Sequence, residues 1–262
     1  MDESNEIKLQ RSFAFERTLH FPNYNTILSK YKAQQVLEDK VGNSLLDLAC
    51  GDGYITSLLK PAFSRIVGVD ASYIHLLEAH KRLPEIDFVE SLLEDYDTTE
   101  KFSTVTMLDV LEHVQNPISA LQAAASHLDD GGVLIVHVPN AEAINRRIAV
   151  KMGSLLSLDE LSPFDINIAG HRRAYTLQTL KEDIFKAGLH VKSSGGIFYK
   201  CLSSAQMDWF LKNGLWKEGG FGWGRVGAEH EKDWCQAFCD ASYEIGRELP
   251  RDCNCIYVCA IK

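Results

Sequence analysis

The sequence predicts a doubly wound α/β domain with a mainly parallel sheet, an antiparallel last strand and a cap made of insertions. Three observations carry this. Apolar strand-like runs alternate with helical runs over about 100 residues, as parallel strands with right-handed crossovers require. Two of those runs, SLLDL and RIVGVD, carry an acid at or next to their ends, and the first leads into a glycine turn. No stretch rich in Pro, Gly or Ser marks a second domain.

The elements follow in order. Residues 1–35 form an N-terminal lead, and the segment YNTILSKYKAQQVLEDK puts Ile27, Leu28, Tyr31 and Val36 near helical spacing. SLLDLACGDG is a short strand and its glycine loop, and YITSLLKPAF is a helix stopped by Pro61. RIVGVDAS is the second strand. YIHLLEAHKRL is a helix whose turns are marked by Ile74, Leu77 and His80 or Lys81. IDFVES and FSTVTMLDVLEHV supply strands three and four. NPISALQAAASHL is a helix with Pro117 in its first turn, where a missing N–H costs nothing. DDGG reads as a turn and VLIVHVPN as the fifth strand, closing a core over residues 36–140.

Residues 141–175 break the rhythm and read as a lid. In TLQTLKEDIFKAGL, Leu177, Leu180, Ile184 and Phe185 share a helical face and Gly188 is the C-cap. HVKSSGGIFYKCL and NCIYVCAIK are the last two strands of a C-terminal part, residues 176–262. They are separated by an insertion, 201–252, too long for a bare loop. Its aromatic residues, with Phe198 and Tyr199 before them, fit either an acceptor pocket or packing against the sheet, and packing is favoured.

Composition narrows the function classes. The formal charge of −9 disfavours a nucleic-acid partner. The charged N-terminus MDESNEIKLQRS lacks a secretory core, and no apolar run has membrane-spanning length, so a cytoplasmic, non-membrane protein is expected. Seven cysteines without a C-x₂-C pair read as buried thiols rather than a zinc site. No acidic or histidine cluster with ligand spacing is visible, so no metal is expected.

The chemistry gathers at the strand ends. Gly51 and Gly53 let a ligand touch backbone, and Asp47 repels a phosphate but attracts an ammonium. Asp70, 17 residues after Gly53, is placed to accept from ribose hydroxyls. A dinucleotide site wants a third glycine near position 56, where Thr56 stands.

In LLDLACGDGYITSLL, IVGVDAS, FVESLLED, VTMLDVLEHVQNP, LDDGGVLIVHVPNA and GHRRAYT the chain resembles the class I S-adenosylmethionine-dependent methyltransferases over residues 40–195. It looks most like the branch with ubiquinone-biosynthesis O-methyltransferases and sugar and natural-product methyltransferases. The resemblance implies a Rossmann-like fold and S-adenosylmethionine as cofactor, leaving as S-adenosylhomocysteine. It implies that Asp47, Ala49, Gly51 and Gly53 surround the methionine part and that Asp70 holds the ribose. Ala71 lies against the adenine, Leu92 and Leu93 meet its edge, and Asp109 and Val110 pass the methionine part. Ala49 stands where the family has its first glycine, and Leu92 where an aspartate often reads the adenine amine. His113 and His171 resemble positions near the acceptor and are the candidate bases. Arg172 and Arg173 fit an anionic acceptor or a solvated turn equally. The expected reaction is O-methylation of a small biosynthetic intermediate by a monomer or homodimer. N-methylation of a small molecule, a protein or RNA methyltransferase, a non-catalytic binding module on the same fold, and an NAD-dependent oxidoreductase are the alternatives.

Overall fold

A computed structural model describes residue 8, residues 20–216 and residues 233–262. Strands β1 (Ser44–Leu48), β2 (Arg65–Asp70), β3 (Asp87–Glu90), β4 (Phe102–Leu108) and β5 (Leu128–Pro139) alternate with helices. These are α1 (Pro22–Asp39), α2 (Tyr54–Leu59), α3 (Tyr73–Arg82) and α4 (Pro117–Ser126). Beyond β5 come α5 (Ile144–Lys151), a π-helical turn (Asp165–Ala169), α6 (Leu177–Lys186), β6 (His190–Tyr199), α7 (Ser204–Asn213), α8 (Trp234–Glu248) and β7 (Cys253–Ile261). The seven strands form one sheet in the order β3-β2-β1-β4-β5-β7-β6. Neighbours among β1 to β5 run parallel, while β7 is antiparallel to β5 and β6. The strand order reverses beside β1, so the carboxyl ends of β1 and β4 flank the crevice where such sheets bind ligands.

Both faces of the sheet are covered. On one face Leu46, Leu48, Val105 and Met107 pack with Leu121 of α4 and with Leu180 and Ile184 of α6. On the other, Leu45, Ile66 and Ile135 pack with Leu28 and Val36 of α1, Leu59 of α2, Met207 of α7 and Tyr243 of α8. Near-continuous apolar strands are what a sheet buried on both sides demands. Asn116 caps α4 with its side-chain oxygen on the amides of Ile118 and Ser119, and Pro117 follows it.

Three local expectations are corrected. In α3 the inward residues are Leu76 and Ala79, while Ile74 is 66% exposed and Leu77, His80 and Lys81 also face out. That helix fits against the glycine loop through Ala79, whose Cβ a side chain on Gly53 would reach at 3.0 Å. In α6, Leu180 and Ile184 are fully buried, but Phe185 is 74% exposed, one residue off the stripe. DDGG is a bulge inside β5 rather than a turn. The register against β4 shifts between Phe102 and Thr104, and Gly131 takes φ +75° to absorb it. The helical spacing expected along YNTILSKYKAQQVLEDK is met by α1, which runs to Asp39.

The seven cysteines are free; Cys50, Cys239, Cys253, Cys255 and Cys259 are buried. Among the described residues no helix is long and apolar enough to cross a membrane.

Candidate active site

The glycine loop sits at the end of β1. Ala49, Gly51 and Gly53 all adopt positive φ, at 61°, 56° and 69°. Ala49 therefore occupies a left-handed position that favours glycine, which is a physical reason for the family's residue there. A Cβ built on Gly51 would meet nothing within 4 Å, so the loop keeps an open cradle beside its backbone. Asp70 braces that cradle: Oδ2 accepts from the Gly51 amide at 2.9 Å and Oδ1 from the Ser72 amide at 2.8 Å. A carboxylate fixed this way at the end of β2, next to an open glycine backbone, fits the ribose and methionine parts of S-adenosylmethionine. The cofactor fit rests on these two features.

Asp47 is placed differently from its expectation. It lies buried behind the loop, with Oδ2 accepting from Thr56 at 2.6 Å and Oδ1 from Thr106 at 2.8 Å. Burial pushes its pKa up, against the two hydroxyls. Thr56 thus holds the loop's acid where the dinucleotide pattern would want glycine. The Leu92 carbonyl is already occupied, taking the amides of Asp95 and Tyr96 and the Ser91 hydroxyl. Leu93 and Val110 are buried in the core, and Ala71 is half-buried after β2.

Asp109 ends β4 at φ +56°, with its amide bonded to the His137 carbonyl. Its carboxylate pairs with Lys32, which α1 delivers from 77 residues away. Burial opposes the charge on Asp109, but the Lys32 ammonium holds its pKa below the usual carboxylate value. Lys32 itself gives no local signal: it is a buried lysine on a helix that reads as a simple lead.

Asp109 also lines a cavity of about 520 Å³ roofed by α1, the lid and the start of α7. Phe21, Tyr24, Leu28, Phe164 and Ala169 make its apolar wall. Phe21 and Phe164 pack on each other in that wall, with ring centroids 5.6 Å apart. Glu112, His113 and His171 stand on the polar side. The two imidazoles are in edge contact, with ring centroids 4.9 Å apart. His171 Nδ1 lies 3.6 Å from Asp165 Oδ1 and His113 Nδ1 lies 3.3 Å from the Gly170 carbonyl. Burial lowers the pKa of both, that of His113 to about 4, where the neighbouring His171 lowers it further. Glu112 is 1% exposed, and neither carboxylate oxygen has a hydrogen-bond donor among the described residues. Burial first, and Asp109 second, push its pKa well up.

One ligand atom each from Glu112, His113 and His171 lies within 4.8 Å of the others. One carboxylate and two imidazoles are a donor set suited to a divalent cation. The expectation of no ligand cluster is corrected to that extent: spacing along the chain conceals a group that the fold assembles.

The arginine pair is not part of the cavity wall. Arg173 donates to the carbonyls of Leu111 and Gln115, and the Arg172 amide donates to the Glu112 carbonyl. Arg146 of α5 lines the cavity instead, bonded through its guanidinium to Asp165 and the Leu158 carbonyl. Of the insertion aromatics, Phe210 and Trp216 pack on each other and on Phe238, and Trp209 is exposed. Phe221 and Trp223 lie outside the described residues. The rings that face the cavity are Phe21, Tyr24 and Phe164, none of which carries a motif.

A family model described as a methyltransferase domain matches residues 22–194. The ubiquinone biosynthesis O-methyltransferase of Actinobacillus pleuropneumoniae serotype 7 is 30% identical over 117 residues, 41% of this chain and 50% of that protein. The enzyme of the same description from Aeromonas salmonicida is 25% identical over 170 residues, 62% of this chain and 69% of its own. The chain spans about half the length of the first of these curated relatives. A solved S-adenosylmethionine-dependent methyltransferase from Thermotoga maritima, titled "possible histamine N-methyltransferase", superposes with a TM-score of 0.60 at 17% identity, over 92% of each chain.

Proposed function

The chain belongs to the class I S-adenosylmethionine-dependent methyltransferases, and from that premise we propose that its acceptor is a small biosynthetic molecule methylated on oxygen within the cavity beside Asp109. The observation that carries this reading is the meeting of two half-buried imidazoles with an apolar wall in one cavity next to the β4 end. A cavity of that size suits a compact molecule, and its rings offer a flat apolar surface.

When bound, S-adenosylmethionine supplies an electrophilic methyl group on a positively charged sulfur. The chain's task is then to position the acceptor and remove its proton. Asp70 and the Gly51 backbone hold the cofactor's ribose and methionine parts. Phe21, Tyr24 and Phe164 orient the acceptor and exclude water. His171 takes the hydroxyl proton at Nε2, because Nδ1 faces Asp165, which steadies the ring and favours its protonated form. His113 has a pKa of about 4, too low to hold a proton near neutral pH, so it acts as a neutral neighbour.

The test is titration with S-adenosylhomocysteine, followed by incubation with S-adenosylmethionine and matched small hydroxyl and amine compounds. Binding and O-methylated products are expected. Products formed only with amines would overturn the oxygen assignment, and NAD binding without a response to S-adenosylhomocysteine would overturn the whole reading.

A further inference from the structure

Helix α1 roofs the cavity with one stripe. Tyr24, Leu28 and Lys32, spaced four apart, all line it, and so does Phe21 just before the helix. Lys32 ties the inner end of that stripe to Asp109. The outer end begins at a strained turn. Phe21, the N-cap, sits at φ +52° and ψ +51°, a left-handed conformation that is costly for a residue with a Cβ. The turn leaves its ring packed on Phe164. Strain of this kind persists only where surrounding contacts impose it.

The contact at this turn comes from α7. A helix start leaves its first amides without intrahelical partners, and the N-cap side chain normally takes them. The first intrahelical bond of α1 runs from the Asn25 amide to the Phe21 carbonyl. Pro22 has no amide hydrogen to satisfy, and the Phe21 side chain offers no acceptor. The two amides that remain, of Asn23 and Tyr24, both donate to Oδ1 of Asp208, at 2.7 Å and 3.0 Å. The Asn23 side-chain amide donates to Oδ2 at 3.2 Å. A carboxylate 185 residues along the chain from Asn23 thus stands in for a local cap, and its charge faces the positive end of the helix. Asp208 lies one turn beyond Ser204, the first residue of α7, which lines the same cavity. One side chain therefore joins two walls of the cavity.

We infer that Asp208 is a positioning residue for methyl transfer: by capping α1 from α7 it fixes where Phe21 and Tyr24 stand in the acceptor wall. The inference rests on reading the cavity as the acceptor site. Asp208 acts through α1 and not on the reacting atoms. Without it, two amides lose their acceptor and the turn at Phe21 loses the contact that holds it, so the first turn of α1 loosens. The later turns keep their seat, because Leu28, Tyr31 and Val36 are buried in the core and Lys32 keeps its ion pair. The cofactor cradle at Gly51 and Asp70 belongs to β1 and β2 and is unaffected.

The test compares wild type, Asp208→Ala and Asp208→Asn as full chains. Asparagine keeps an oxygen for the two amides and caps helices about as well as aspartate, so it is the rescuing variant. Titration with S-adenosylhomocysteine should give the same affinity for all three. Hydrogen exchange at the Asn23 and Tyr24 amides should quicken at least about tenfold in Asp208→Ala, with the amides from Leu28 to Val36 unchanged and Asp208→Asn close to wild type. With S-adenosylmethionine and phenol, catechol or cyclohexanol as the hydroxyl probe, Asp208→Ala should raise the probe's KM at least about tenfold, more than it lowers kcat, and Asp208→Asn should restore it. A merely structural role would shrink the active fraction, lowering apparent kcat with KM unmoved, and that result overturns the inference. So does exchange at Asn23 and Tyr24 that Asp208→Ala leaves unchanged. Failure of wild type to methylate any of the three probes counts against the cavity as the acceptor site and removes the inference with it. Absence of S-adenosylhomocysteine binding by wild type would instead count against the methyltransferase reading.

Discussion

His113 and His171, 58 residues apart in the chain, meet edge to face with ring centroids 4.9 Å apart and an interplanar angle of 74°. They differ in what stands behind them: a carboxylate, Asp165, for His171, and the Gly170 carbonyl for His113. Under the proposed mechanism, that difference makes His171 the base. His171→Asn should lower turnover by about 10²–10⁴-fold with S-adenosylhomocysteine affinity intact. His113→Asn should cost less than tenfold. Steady-state rates and a binding titration check both, and equal losses would refute the assignment.

The pH response follows from the same rings. Folding lowers the pKa of both histidines, so the unfolded chain binds more protons than the folded one below about pH 6.5. Stability should therefore fall as pH drops from 6.5 toward 4, and turnover should fall as His171 becomes protonated. In His113→Asn part of the stability slope should disappear. Thermal melts across that range measure it.

Glu112 carries the opposite sign. Its folded pKa is raised, so the folded chain holds a proton that the unfolded chain releases, and stability falls as pH rises above the ordinary glutamate value. Glu112→Gln should remove that slope and stabilise the protein at pH 8 relative to wild type, since the amide has no proton to lose. Turnover should fall at the same time. Unchanged melting with unchanged turnover would show that Glu112 is ordinary packing.

Lys32 and Asp109 tie α1 to the end of β4. Lys32→Met should destabilise by about 2–3 kcal/mol, less than a fully buried pair because the Asp109 side chain is 33% exposed. Adding Asp109→Asn should recover most of that loss. A double-mutant cycle by urea denaturation measures the coupling, and additive losses would mean that the pair is not energetically linked.

The alternation of strands and helices and the antiparallel last strand were legible because their signals are local. Apolar runs, an acid closing β2 and glycines at positive φ fall within a few residues of one another, and backbone sterics act over that same range. Thr56 was visible as a departure from the dinucleotide pattern, but its bond to Asp47 was not.

What the tertiary structure decided lies where distant segments converge. Lys32, Tyr24 and Phe164 carry no motif, since a buried lysine or an aromatic ring has a meaning only through what it faces. The inward face of α3 shifted from Ile74 and Leu77 to Leu76 and Ala79 because docking against Gly53 admits only a small side chain. Glu112, His113 and His171 became one group because the lid returns over the end of β4. Periodicity reports which residues turn inward along one element. Only the packing of several elements around one cavity fixes which of those residues meet, and burial in that cavity is what sets their charge.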